Sequence, residues 1–110
     1  MKRRHLLQAA SAAIAMPSLA LAQTSYPVRS MRYIVPVSAG GGSDMIARVV
    51  TERWGKVLGQ SFVVDNQSGG GGVVACQLTA RAPADGYTLL QGYVATHGTT
   101  PATRRVNYDA

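Results

Sequence analysis

The sequence predicts an α/β fold: a partial parallel sheet in the order β-α-β-α-β. Three observations predict it. Short β-rich apolar runs recur at Arg32–Val37, Ser61–Asp65 and Tyr87–Gly92. Between them the apolar period lengthens to three and four residues, the spacing of helices. Each of the first two runs also ends in a glycine-rich loop that leads into the helical stretch. Strands alternating with helices imply a parallel sheet with right-handed crossovers.

The chain has 110 residues, enough for one small domain. Residues 1–22 read as a secretory signal. Lys2, Arg3 and Arg4 precede an apolar stretch from Ala9 to Met16, Pro17 and Ser18 break it, and Ala20-Leu21-Ala22 offers a small-x-small cleavage site. The apolar run is too short to span a membrane. Arg3-Arg4 followed by Leu6-Leu7 also suits a twin-arginine signal, so either export route is open. Residues 23–110 are the mature part of an exported chain; the periplasm is the location that the resemblance described below implies.

The formal charge of +6 falls to +3 in that part, with eight bases against five acids. The bases are scattered, and no basic stripe with interleaved aromatics appears, which excludes nucleic acid as a partner. Cys76 is the sole cysteine, so no disulfide or cysteine metal framework can be built within the chain. It reads as a small buried hydrophobe on a helix.

Arg32–Val37 (Arg-Tyr-Ile-Val-Pro-Val) has the near-continuous apolarity of a strand buried on both faces, and Pro36 marks its end. Next comes the loop Ser38-Ala39-Gly40-Gly41-Gly42-Ser43. Met45, Ile46, Val49, Val50, Trp54, Val57 and Leu58 then form an apolar helical stripe, with Arg48, Glu52, Arg53 and Lys56 on the other face. Ser43 or Asp44 is expected to cap the helix and Gly59 to end it. Glu52 and Lys56 form an i,i+4 pair. Ser61–Asp65 is the second strand, and Gly69–Gly72 sit in the loop after it. A shorter helix spans Val73–Ala82, Asp85-Gly86 turns the chain, and Tyr87–Gly92 is the third strand. Tyr93–Thr100 reads as another loop, and Pro101 begins a last segment.

In a parallel sheet all three loops emerge at the carboxyl ends of the strands, where open α/β sheets bind ligands. A glycine loop before a helix offers unpaired N–H groups backed by the helix dipole, so two such loops suit an anion. Segments 37–44, 66–72 and 93–100 contain no Lys or Arg. An anion there is held by backbone amides, bound water and the hydroxyls of Ser38, Ser43, Thr96, Thr99 and Thr100. The other reading is that the glycines only permit tight turns.

Nucleotide signatures fail. Starting from Gly40 the sixth residue of G-x-G-x-x-G is Met45, and from Gly69 it is Val74; no Gly-Lys-Ser/Thr occurs either. Asp65 stands where a ribose-binding acid would, but reads better as a strand-end residue. No G-x-S-x-G elbow exists, and His97, the one histidine of the mature part, has no recognised metal spacing with Cys76. No set of nucleophile, base and orienter is present, so no catalytic residue, metal or cofactor is expected.

Several blocks in order carry a family resemblance. They are Tyr26-Pro27; Ile34-Val35-Pro36 followed by Gly40-Gly41-Gly42-Ser43-Asp44; Ala47-Arg48; and Leu58-Gly59-Gln60. Val63-Val64-Asp65-Asn66 with Gly69–Gly72, Asp85-Gly86-Tyr87-Thr88-Leu89-Leu90, Thr96-His97 and Asn107-Tyr108-Asp109 follow. Across nearly all of residues 26–110 the chain resembles the N-terminal part of the Bug, or tripartite tricarboxylate transporter, substrate-binding proteins.

The resemblance implies the first lobe of a type II periplasmic binding protein, here incomplete. It implies a small carboxylate ligand gripped largely through backbone groups and ordered water. It also implies delivery to integral-membrane transporter subunits or a sensor ectodomain. Carried over, the binding residues are Ser38, Gly40, Gly41, Gly42, Ser43, Asp44, Gly69, Gly70, Gly71, Gly72, Thr96 and His97. Three departures stand out: Val37-Ser38-Ala39 where the family has Phe-Pro-Pro, Val73 where an Asn usually follows the glycines, and a length well short of family members. The expectation is a fragment or truncated copy that binds weakly or not at all by itself. The alternatives are a phosphate- or nucleotide-binding α/β enzyme fragment and a truncated product without function.

Overall fold

The computed structural model describes residues 25–110. The secretory signal expected over residues 1–22 lies outside them. The elements are β1 (Met31–Val35), α1 (Gly42–Leu58), β2 (Phe62–Asn66), α2 (Val73–Arg81), β3 (Thr88–Leu90) and α3 (Thr100–Thr103). The three strands form one parallel sheet in the order β2-β1-β3. The expected β-α-β-α-β series is therefore present, with strand ends displaced by one to two residues. Among the described residues no helix is long and apolar enough to cross a membrane.

β1 lies at the centre because it is the most apolar of the three runs. Met31, Ile34 and Val35 are buried and Tyr33 nearly so. Crossovers leave β1 for β2 on one side, then pass back over it to β3 on the other. Two right-handed crossovers in opposite directions put α1 and α2 on opposite faces of the sheet. Tyr33 and Val35 pack with Ala47 of α1, backed by Val37, Phe62, Val64 and Leu89. Trp54 meets Tyr33 and Phe62 at ring-centroid distances of 5.9 Å each. Ile34 points to the other face, the side of α2, whose Ala75 and Cys76 are buried. Burial pushes the Cys76 thiol pKa up, as suits an inert core residue.

The packing face of α1 differs from the expected one. The residues it buries are Asp44, Ala47 and Thr51. Met45 (67% exposed), Ile46, Val49 and Val57 (83% exposed) point outward. Ala47, Thr51 and Gly55 are small and lie on one side of the helix, so that side approaches the sheet most closely. The large apolar side chains are displaced to the flanks and the outer surface, and Trp54 reaches back to the sheet.

The start of α1 also corrects an expectation. The residue before the helix is Gly41, and no side chain caps it. Asp44 instead reaches back from the first turn and accepts the Gly40 N–H at 3.0 Å. The bond passes over Gly41 to the residue before it, so it ties the loop and does not make a capping box. The other end matches: Gly59 takes the left-handed conformation at φ 68° and donates to Gly55 O at 2.9 Å. The Lys56–Glu52 pair forms at 2.7 Å.

Residues 93–100 are not an irregular loop. Ala95–Thr99 wind into a wide, π-type turn that runs directly into α3. Tyr93 O accepts from Thr96 N at 3.0 Å and His97 N at 3.2 Å, and Pro101 sits at the start of α3, where its missing N–H costs nothing.

Candidate anion-binding edge

All three strand ends point the same way, so the segments after β1, β2 and β3 meet at one edge of the sheet. Their mutual contacts are specific. A Cβ on Gly72 would lie 2.4 Å from Thr96 Cγ2 and 3.5 Å from Pro36 Cβ, so three segments touch at this glycine. Thr100 Oγ1 donates to Gly71 O at 3.2 Å. Gln91 Nε2 donates to Ser43 O at 3.2 Å, joining the third segment to the first turn of α1. Its Oε1 is buried with no partner among the described residues.

In the first loop only Gly40 has a positive φ, 91°. Gly40 and Gly42 have open space where a Cβ would stand. The hydrogen-bond ladder of α1 begins with Met45 N–H donating to Gly41 O at 3.0 Å. The N–H groups of Gly42, Ser43 and Asp44 precede that ladder and carry the positive end of the helix dipole. In the second loop all four glycines have positive φ, from 57° to 133°. Gly70–Gly72 form a tight 3₁₀ turn that hands the chain to α2.

The expected site residues fall into two groups. Ser38, Gly40, Gly41, Gly42, Gly69, Gly70, Gly71 and His97 are exposed at this edge, with Ser43 half-buried. Asp44, Gly72 and Thr96 are buried. Asp44 is 4% exposed, and both its oxygens are bonded. Oδ2 accepts from Gly40 N and Arg48 Nε, each at 3.0 Å, and Oδ1 accepts from Asn66 Nδ2 at 2.9 Å. The Arg48 bond, then the Gly40 and Asn66 bonds, hold its pKa down to about 2. Thr96 is fully buried; its hydroxyl accepts from Tyr93 N at 3.0 Å and lies 2.9 Å from Tyr93 O and 2.7 Å from His97 Nδ1. Tyr108 Oη donates to Thr96 O at 2.7 Å, so the chain near its last residues steadies the third segment.

Asn66, Arg48 and Gln91 belong to this edge, yet were not expected there. Asn66 had a usable signal: an Asn closing a parallel strand next to a glycine loop can donate and accept at once. Asp65, tested as a ribose ligand, is committed elsewhere. It is ion-paired with Arg32 and accepts from Gln67 Nε2 at 2.8 Å. A groove of about 660 Å³ lies between α1 and β2 and is lined by residues such as Thr51, Gly55 and Phe62, away from the two glycine loops. Among the described residues no group of three His, Cys, Asp or Glu could hold a metal ion.

Known proteins share the sequence pattern and the fold of this chain. Residues 46–110 match the tripartite tricarboxylate transporter family receptor. The protein BugT of Bordetella pertussis is 44% identical over 81 residues, which are 74% of this chain and 24% of BugT. The structure of MatC from Rhodopseudomonas palustris with bound malate is 38% identical, with a TM-score of 0.72 over 76% of this chain and 29% of MatC. An R. palustris protein with adipate is 43% identical, with a TM-score of 0.64 over 66% of this chain and 24% of its own. The chain spans between 22% and 35% of the length of the curated relatives it matches.

Proposed function

Since the chain belongs to the tripartite tricarboxylate transporter receptor family, we propose that it carries the carboxylate-gripping wall of a periplasmic solute receptor. The observation that carries this reading is the convergence of two glycine loops on one sheet edge, with the free amides of Gly42, Ser43 and Asp44 at its rim. Segments 37–44, 66–72 and 93–100 supply no cationic side chain. One carboxylate end of a small acid fits such a seat, because backbone amides and a helix dipole can hold an anion without a paired cation. Malate and adipate in the related structures are acids of that size. Export through the Sec or twin-arginine route places the receptor in the periplasm. From there it would pass the acid to integral-membrane transporter subunits or a sensor.

An NMR titration of the chain with malate, adipate and ADP tests the proposal. The expected result is a shift of the Gly42–Asp44 and Gly69–Gly72 amides with the two acids and weak affinity, since the described residues form one wall. Shifts with ADP alone would favour the phosphate- or nucleotide-binding alternative and overturn the reading.

A further inference from the structure

The clearest construction at this edge is a set of side chains that do not face the ligand seat at all. Parallel pairing puts Asn66 beside Val35, where the first loop departs. The Asn66 amide then donates in two directions. One bond goes to Val37 O at 3.1 Å, at the start of that loop, and one to Asp44 Oδ1 at 2.9 Å, just past its end. Asp44 closes the inside of the loop through Gly40 N–H. The whole of residues 37–44 is thus tied at its start, middle and end.

We propose that Asp44 and Asn66 are positioning residues, which pin the first glycine loop to the end of β2 and so aim the Gly42–Asp44 amides at the ligand. Asp44 cannot itself be a good partner for an acid. It is a buried carboxylate with both oxygens engaged, and its charge would repel an incoming anion. Arg48, one turn along α1, donates to it at 3.0 Å and leaves the pair close to neutral. The Nη2 of Arg48 also lies 3.5 Å from Asn66 Oδ1, so the three side chains form one connected set. Taking up the Gly40 N–H also has a consequence for selectivity. It leaves the first loop's side of the seat with the amides that follow Gly40, a short run that suits one carboxylate group better than a chain of phosphates.

This inference rests on the proposed carboxylate seat, but its test is separable. Hydrogen exchange of the Gly40 amide is read by NMR on the full chain without ligand. Asn66→Ala should speed that exchange about tenfold, as loss of a supporting bond of ordinary strength allows. Exchange in the middle of α1, at Thr51, should not change. The exchanged pair Asp44→Asn with Asn66→Asp keeps a donor facing an acceptor and keeps the charge balance with Arg48. It should recover the part of the Gly40 protection that the bond between residues 44 and 66 carries, while the bond to Val37 O stays lost. Gly40 exchange unchanged in Asn66→Ala would overturn the proposal, as would an exchanged pair no better than Asn66→Ala. A wild-type chain whose amides ignore both malate and adipate would instead overturn the functional reading.

Discussion

Gly40–Gly42 and Gly69–Gly72 both lead from a strand into a helix, yet the two runs are held by opposite means. The first has open space around Gly40 and Gly42 and is fixed from outside by the side chains of Asp44 and Asn66. The second is held by its own backbone, with four successive positive φ values and a neighbour pressed against Gly72. One loop has open space beside its glycines; the other has a neighbour pressed against its last one. The same letters in the sequence thus leave room in one place and meet packing in the other.

Substitutions should separate the two uses. The largest effect is expected for Gly72→Ala. Its φ of 93° is hostile to an L side chain, and the new Cβ would stand 2.4 Å from Thr96. Left-handed strain and overpacking together should cost about 3 kcal/mol, measured by urea denaturation. A variant as stable as the parent would break the contrast between the loops. Thr96→Val comes next. It keeps the shape but removes the hydroxyl that Tyr93 and His97 use, for a loss of about 1–2 kcal/mol in the same measurement.

Acid should act on the first loop through Asp44. The folded state favours the Asp44 carboxylate and lowers its pKa from 3.8 to about 2. The stability it contributes is therefore complete above its unfolded pKa and is lost as pH falls through about 4 towards 2. Following the urea midpoint across that range should show the decline, and Asp44→Asn should reduce it to the part carried by Asp65 and Glu52. The smallest effect is expected for Gly42→Ala. This position is helical and open, so alanine should stabilise the chain by about 0.5 kcal/mol. If the seat needs close approach of backbone to acid, the same change should weaken the malate response. A stabilised variant that binds malate as before would show that openness at Gly42 is not used.

The order of elements was legible because it depends on periodicity and on punctuation by Gly, Pro and Asp-Gly. Gly59 and the Glu52–Lys56 pair were readable for the same local reasons. The buried face of α1 was not. Hydrophobic spacing marks Ile46 and Val57, whereas the sheet selects Ala47, Thr51 and Gly55 for their size, and size matters only once a partner surface exists. The glycine positions of the site were visible as loops before helices. That Asp44 and Thr96 turn inward was not, because their partners Asn66 and Tyr93 become neighbours only through the register of the sheet or the winding of the third segment. The winding at 95–99 hid behind a composition of Thr and Gly, and depends on the bonds to Tyr93 O.

The strand order β2-β1-β3 also has a consequence for time. β1 is the first strand made, and both of its partners come later: Arg32 must wait for Val63 on one side and for Thr88 on the other. Among the described residues no strand pairing is local, so each one closes a long loop before any bond rewards it, and such assembly is slow. A nascent chain of this design lacks its three-stranded sheet until β3 has been synthesised. A pore that threads unfolded polypeptide could accept it during that interval, with its most apolar strand still seeking neighbours.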